Sequence, residues 1–417
     1  MSFVYTVNSY LNRFPVIKRS VKRIYQRSMV ALSPKFKFEG DIHKLSPNDS
    51  QHEYFFGYYD KSPWDITERY VLCLRAKNTW TDVAPLEPAD ICLIDTENNN
   101  QIEILAQTHS WNVQQACMLQ WLGPGFDKEI LYNDFRDGKF CSVILNIKTR
   151  QERILPLPVY SVAPNGSIAL TLDFSRLHRL RRGYGYSNIP DRTAGQLIPN
   201  EPCIWSLDLQ TGEINSILWY KDFVDFEHRV EMDGAEHKVN HIMISPNGKR
   251  FMVLHRWFNG ERKYTRLVTA NIDGTDLYNL SDDDMVSHCC WKNNMEIFAF
   301  ENKHNGGNGY YLMKDKSSQY KRYWPTINYD GHPSFSPDGE HILFDRYPDG
   351  KRIAAVMLAD DDANESSVHI MARVFAPFKY DNDTRCDLHP RWSRDGKKIC
   401  FDAIFEGGRG LYYVNMR

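Results

Sequence analysis

The chain has no Cys-x-x-Cys pair, no apolar run near the roughly 18 residues that span a bilayer, and no acidic residue before Glu39. Its nine cysteines are odd in number and scattered, and Cys73, Cys141 and Cys400 sit inside strand-like apolar runs. The expectation is a reduced, cytoplasmic chain without a spanning helix. Also missing are a nucleophile elbow, a P-loop, an HExxH pair and a dinucleotide fingerprint, which argues against nucleotide chemistry. A formal net charge of -2 gives no overall attraction to nucleic acid, so any polyanion binding must come from local patches.

The acid-free start is strongly basic: Arg13, Lys18, Arg19, Lys22, Arg23, Arg27, Lys35 and Lys37 alternate with Leu11, Phe14, Ile17, Val21, Ile24 and Tyr25. That spacing predicts a short basic amphipathic helix within residues 1–35. The segment lacks the continuous apolar stretch and small-residue cleavage site of a secretory signal, so it is expected to be retained. Two roles remain open: peripheral contact with an anionic membrane at its inner face, or packing on the rim of the following domain.

The remaining residues, 36–417, read as one all-β domain. Apolar residues make up 42% and aromatics 13%, with 23 Tyr and 10 Trp that favour strands. Three near-copies, ISPNGKRFMVLHR from Ile244, FSPDGEHILFDR from Phe335 and WSRDGKKICFDA from Trp392, each read as strand, tight turn, strand. Weaker copies start at Trp64, Trp121, Val162 and Trp291. Seven anchors at the roughly 40 to 50 residue period of four-stranded blades predict a seven-bladed β-propeller. The last copy ends without a fourth strand, so FKFEGDIHKLS at 36–46 is expected to pair with it and close the ring. These SPDG-type turns resemble the TolB-like, WD40-like propeller repeats over nearly the whole domain.

Three residues before four of the anchors stand His241, His288, His332 and His389, drawn from only 14 histidines in the chain. The matching positions in the first three repeats are Lys61, Met118 and Val159. In a propeller this position starts the innermost strand, so the imidazoles should form an arc at the channel mouth. The ends of the second strands face the same opening, which adds His255, Arg256, Arg346, Arg136, Asp345 and Asp402. The largest insertion, at about 174–200, brings Arg176, Arg179, Arg181 and Arg182 with Tyr184 and Tyr186. Arginine pairs bidentately with carboxylate and aromatics stack on sugar faces, so an acidic glycan suits this face. Converging neutral imidazoles also suit Mn or Zn if carboxylate or water completes the shell. The same histidines can serve only as hydrogen-bonded fold elements, and Arg256 and Arg346 can merely pair with nearby carboxylates.

Blade number, histidine arc and neighbouring arginines together resemble the oligogalacturonate lyase family and related propeller polysaccharide lyases. The resemblance implies a divalent metal held by His288, His332 and His389. It implies His241 or His255 as the base that removes the C5 proton of a uronate, with Arg256 or Arg346 neutralising its carboxylate, and β-elimination as the reaction. Whether the protein is an enzyme stays open at this point. The competing reading is a non-catalytic propeller that binds glycan or protein at a membrane surface, for example in surface-polysaccharide assembly.

Overall fold

The computed structural model describes residues 15–81 and 87–416, with side chains from Ser20 onward. The chain forms seven antiparallel sheets, six of four strands and one of five, each a blade of a propeller, as the repeats predict. Blade four, for instance, runs through Glu236–Ile244, Arg250–Asn259, Arg262–Asn271 and Tyr278–Ser281, here called strands A to D from the axis outward.

The turn motif explains why the sequence folds this way. In the SPNG, SPDG and SRDG turns the glycines at 248, 339 and 396 take φ of 72°, 77° and 73°, a region that other residues enter at a cost. The turn serines cap the next strand: Ser245, Ser336 and Ser393 Oγ accept the N–H groups of Arg250, His341 and Lys398 at 3.0, 3.0 and 2.9 Å. The anchor tryptophans join blades. Trp121, Trp291 and Trp392 Nε1 donate to the carbonyls of Pro63, Met243 and Ser334 in the preceding blade at 2.9, 2.9 and 3.4 Å.

Closure follows the expected segment but divides it. His43–Lys44 pairs with Gly410–Asn415 as the fourth strand of the last blade, whereas Phe38–Glu39 adds a fifth strand to blade six. Gly40 makes the step between them at φ +114°, where a Cβ would lie 2.6 Å from the Met371 carbonyl.

A helix, α1, spans Pro15–Leu32. The expected basic segment is only partly visible, since Leu11, Arg13, Phe14 and the side chains of Ile17, Lys18 and Arg19 lie outside the described residues. Where it is described, α1 docks on blade six and the segment leading to blade seven. Arg23 pairs with Asp381, the Arg23 and Arg27 guanidinium groups sit 5.1 and 5.8 Å from the Phe378 ring, and Gln26 Nε2 donates to Asp349 O at 3.4 Å. The helix therefore turns Arg23 toward the propeller, with Arg27 at the exposed edge of this contact, and leaves Val21, Ile24 and Leu32 exposed at 46%, 67% and 85%. All nine cysteines are free and buried, and no described helix is long and apolar enough to cross a membrane.

Candidate functional site

The four histidines converge. Ring centroids are 5.4 Å apart for His241 and His288, 4.1 Å for His288 and His332, and 4.3 Å for His332 and His389. Their repeat position is sterically special, because Met118, His241 and His389 all take positive φ there, at 55°, 58° and 43°.

Two tyrosines absent from the sequence reading complete the ring. Tyr59 lies 5.2 Å from His332 and Tyr58 5.1 Å from His389, centroid to centroid, both fully inside the channel. They arrive through Gly57, whose φ is +111° and where a Cβ would press to 2.8 Å of the Ala116 Cβ. The Phe56 and Gly57 N–H groups donate to Asp402 at 3.2 and 3.3 Å, and Asp402 is itself paired with the buried Arg391 at 3.0 Å. Arg391 Nε donates to the His389 carbonyl at 2.5 Å, so one buried ion pair ties the tyrosine segment to the last histidine.

Carboxylates orient the imidazoles. His332 Nδ1 meets both Asp345 oxygens at 2.8 and 3.0 Å, and His288 Nδ1 meets Asp330 at 3.0 Å. This leaves Nε2 as the free nitrogen of each ring, with Tyr347 OH 3.4 Å from that of His332. His389 Nε2 is buried without a partner among the described residues. The Asp387 carboxylate is gripped by Arg385 Nε at 2.8 and 2.9 Å. One donor atom each from His332, Asp387 and His389 lie within 4.8 Å of one another. Asp387 thus stands with two members of the sequence set of His288, His332 and His389, and His288 lies outside the 4.8 Å cluster although its Nε2 is free as that of His332 is.

Burial, then the neighbouring imidazole charges, holds His241 and His389 well below the usual histidine range. Burial lowers His288 as well, against the pull of Asp330. Burial also acts on His332, but Asp345 outweighs it and raises this histidine above its ordinary value. Any proton held by the ring therefore favours His332.

The other predicted residues separate. Consecutive strand residues point to opposite faces, so only one of His255 and Arg256, and one of Asp345 and Arg346, can reach the mouth. His255 is buried on the far side, its Nε2 2.9 Å from His237 Nδ1 and its Nδ1 accepting from Arg266 Nε at 3.2 Å. Arg346 lies 6.0 Å from the Tyr329 ring and lines a 480 Å³ groove beside Tyr25, Met29 and Arg373. Arg256 does adjoin the mouth, close enough for Tyr58 and Tyr184 to affect its charge. Within the insertion, Arg176 is occupied by the carbonyls of His237 and Thr193, and Arg179 by Asp191 and Glu236. Tyr184 packs edge-on to Tyr58 at 6.4 Å. A 680 Å³ cavity is lined by Tyr347, Arg385 and Asp387 on one side and by Lys22, Arg23 and Gln26 of α1 on the other.

The fold places the chain in a structural class, that of the seven-bladed β-propellers. No protein-family model and no curated protein sequence matches it. Among solved structures, an oligogalacturonate lyase from Vibrio parahaemolyticus is similar with 12% identity and a TM-score of 0.61, over 92% of this chain and 98% of that one. An oligogalacturonate lyase in complex with manganese gives 15% identity and a TM-score of 0.64, over 92% and 97%. TolB from Acinetobacter baumannii matches at 12% identity and a TM-score of 0.41, over 74% and 63%. At these identities the likeness is one of fold.

Proposed function

We propose that the protein acts on an acidic, uronate-containing oligosaccharide by metal-assisted β-elimination at the channel mouth. The observation that carries this reading is the buried set of His332, Asp387 and His389, whose donor atoms converge within 4.8 Å while His389 Nε2 has no partner among the described residues. A buried, unpaired imidazole nitrogen is costly unless something coordinates it. Two imidazoles and a carboxylate, one imidazole oriented by a carboxylate behind it, fit Mn or Zn. His332, Asp387 and His389 would hold the ion, which when bound supplies Lewis-acid stabilisation of charge on a uronate carboxylate.

The chain's own groups account for the proton. His241 is kept neutral by burial, and its Nε2 is 2.5 Å from Tyr58 OH. Tyr58 Oη can accept the C5 proton while passing its own to His241 Nε2, as the C4=C5 double bond forms, the bond to the C4 oxygen breaks and the departing oxygen takes a proton from solvent. Arg256 stands beside it to offset the uronate charge; His255 and Arg346 take no part. The test is incubation with oligogalacturonates, followed by the ultraviolet absorbance of unsaturated uronates and by metal analysis. Expected are product formation and bound metal, both lost in His332→Ala. Product formed equally by that variant would overturn the reading.

A second reading rests on α1. Its outward Val21, Ile24 and Leu32, with the exposed Arg27 on the same helix, suit an anionic membrane surface to which a non-catalytic propeller would bring glycan or protein. Co-sedimentation with anionic vesicles should then disappear when residues 1–35 are removed, and binding kept by the shortened chain would discard it.

A further inference from the structure

In blade four, Lys238 of strand A, Arg256 of strand B and Thr265 of strand C are direct partners in register, so their side chains form one row across three strands. Two cations directly opposite repel each other, and this arrangement is unfavourable unless an anion lies between or above them. No carboxylate of the described residues supplies it. The buried Lys238 ammonium meets only the Leu180 carbonyl at 3.5 Å and the Phe258 ring at 5.5 Å. Arg256 Nη2 meets the Val286 carbonyl at 3.5 Å, while its Nε and the Thr265 hydroxyl are buried with no partner among the described residues.

Two further cations extend the row. Arg181 of the insertion stacks on Tyr184 at 5.4 Å and also bears on Arg256 and Lys263; burial first, then Arg256 and Arg181, pushes the Lys238 ammonium well below its ordinary value, so its charge calls for an anion beside it. The Asp330 carboxylate is near enough to affect Lys263, but its oxygens are taken by Ser287 Oγ at 2.5 Å and His288 Nδ1 at 3.0 Å. Other arginines of this blade and its approach are matched: Arg229 pairs with Glu231, Asp282 and Asp284, Arg250 with Asp276 and Asp315, and buried Arg266 donates to the carbonyls of Phe223, Phe226 and Glu227. The unmatched group runs from exposed Arg181 and Lys263, through half-buried Arg256, to Lys238 at 2% exposure, beside His241 of the ring.

We propose that Lys238, Arg256 and Thr265, flanked by Lys263 and Arg181, form a binding site for an oxyanion group of charge -2 or more. The group would be a phosphate or sulfate borne by the ligand, or the carboxylates of adjacent uronates. Guanidinium and hydroxyl supply directional donors, the ammonium groups supply charge, and Tyr184 supplies a flat apolar edge. This site extends the acidic-ligand reading above but requires neither metal nor elimination.

The test is thermal melting and calorimetric titration of the full chain with sodium phosphate, sodium sulfate and trigalacturonate, at constant ionic strength in chloride. At least one is expected to bind and raise the melting temperature. Phosphate or sulfate alone identifies an ester group, and trigalacturonate alone identifies paired uronates. Arg256→Gln and Lys238→Met should weaken that binding at least tenfold, while the unliganded variants melt at the wild-type temperature or higher because a repulsion is relieved. If Lys238→Met does not fold, Arg256→Gln and Thr265→Val carry the measurement. No binding by any of the three anions, or undiminished binding in the variants, overturns the site. Running His332→Ala in parallel separates the two proposals, since it should lose elimination and keep anion binding.

Discussion

His332 and Asp345 make the pivotal contact of the mouth: Nδ1 lies 2.8 Å from Oδ1, and the same carboxylate accepts the backbone N–H of His332 at 2.8 Å and of His389 at 3.3 Å. One side chain from strand B of blade six thus sets the orientation of donors from two blades. Asp345→Asn should therefore weaken metal binding about 10 to 100-fold, the usual effect of losing such a supporting carboxylate, as read by competition with a chelator.

The regrouping of metal ligands can be tested directly. Asp387 shares the 4.8 Å donor cluster with His332 and His389, whereas His288 lies outside it. Asp387→Asn is expected to abolish stoichiometric metal in elemental analysis, and His288→Ala to keep most of it. The opposite result would restore the three-histidine set inferred from the sequence.

What the sequence disclosed and what it hid follow from the same physics. Turn chemistry is local, so the Ser-Pro-Asp/Asn-Gly motif exposed the blades and, by counting back from them, the histidine arc. Strand alternation is also local, yet the sequence reading sends His255 with Arg256, and Asp345 with Arg346, to one opening although adjacent strand residues face opposite ways. Tyr58 and Tyr59 were missed because blade one has no histidine at the repeat position. Their signal was the doubled aromatic after Gly57 that leads into Lys61. Asp387 stands two residues before His389 and was overlooked because no repeat marks it; only the grip of Arg385 makes its direction evident.

The Arg391 and Asp402 pair is fully buried at 3.0 Å and links the last blade to the first at the point where the ring closes. Arg391→Met would leave the Asp402 charge buried and uncompensated, a change that costs about 3 to 5 kcal/mol. Chemical denaturation should show a loss of that size. A loss below about 1 kcal/mol, the range of an exposed ion pair, would show that the pair is solvated in solution.

Lys263 gives the molecule a specific pH response. The Arg256 guanidinium beside it, and then desolvation, hold its ammonium down to about 7 from the ordinary 10.5. A lysine whose folded value is depressed is protonated first in the unfolded chain. Its contribution to stability is present above the unfolded value and is lost as pH falls through the folded one. Between about pH 10 and pH 7, therefore, this residue makes the unliganded protein progressively less stable. Lys263→Met should flatten that part of the curve, raising the melting temperature near pH 7 relative to wild type and changing it little near pH 10. Melting curves of the two proteins in chloride, compared as differences so that other titrating groups cancel, provide the check. An identical pH slope in both would mean that Arg256 and Lys263 do not share a charged environment.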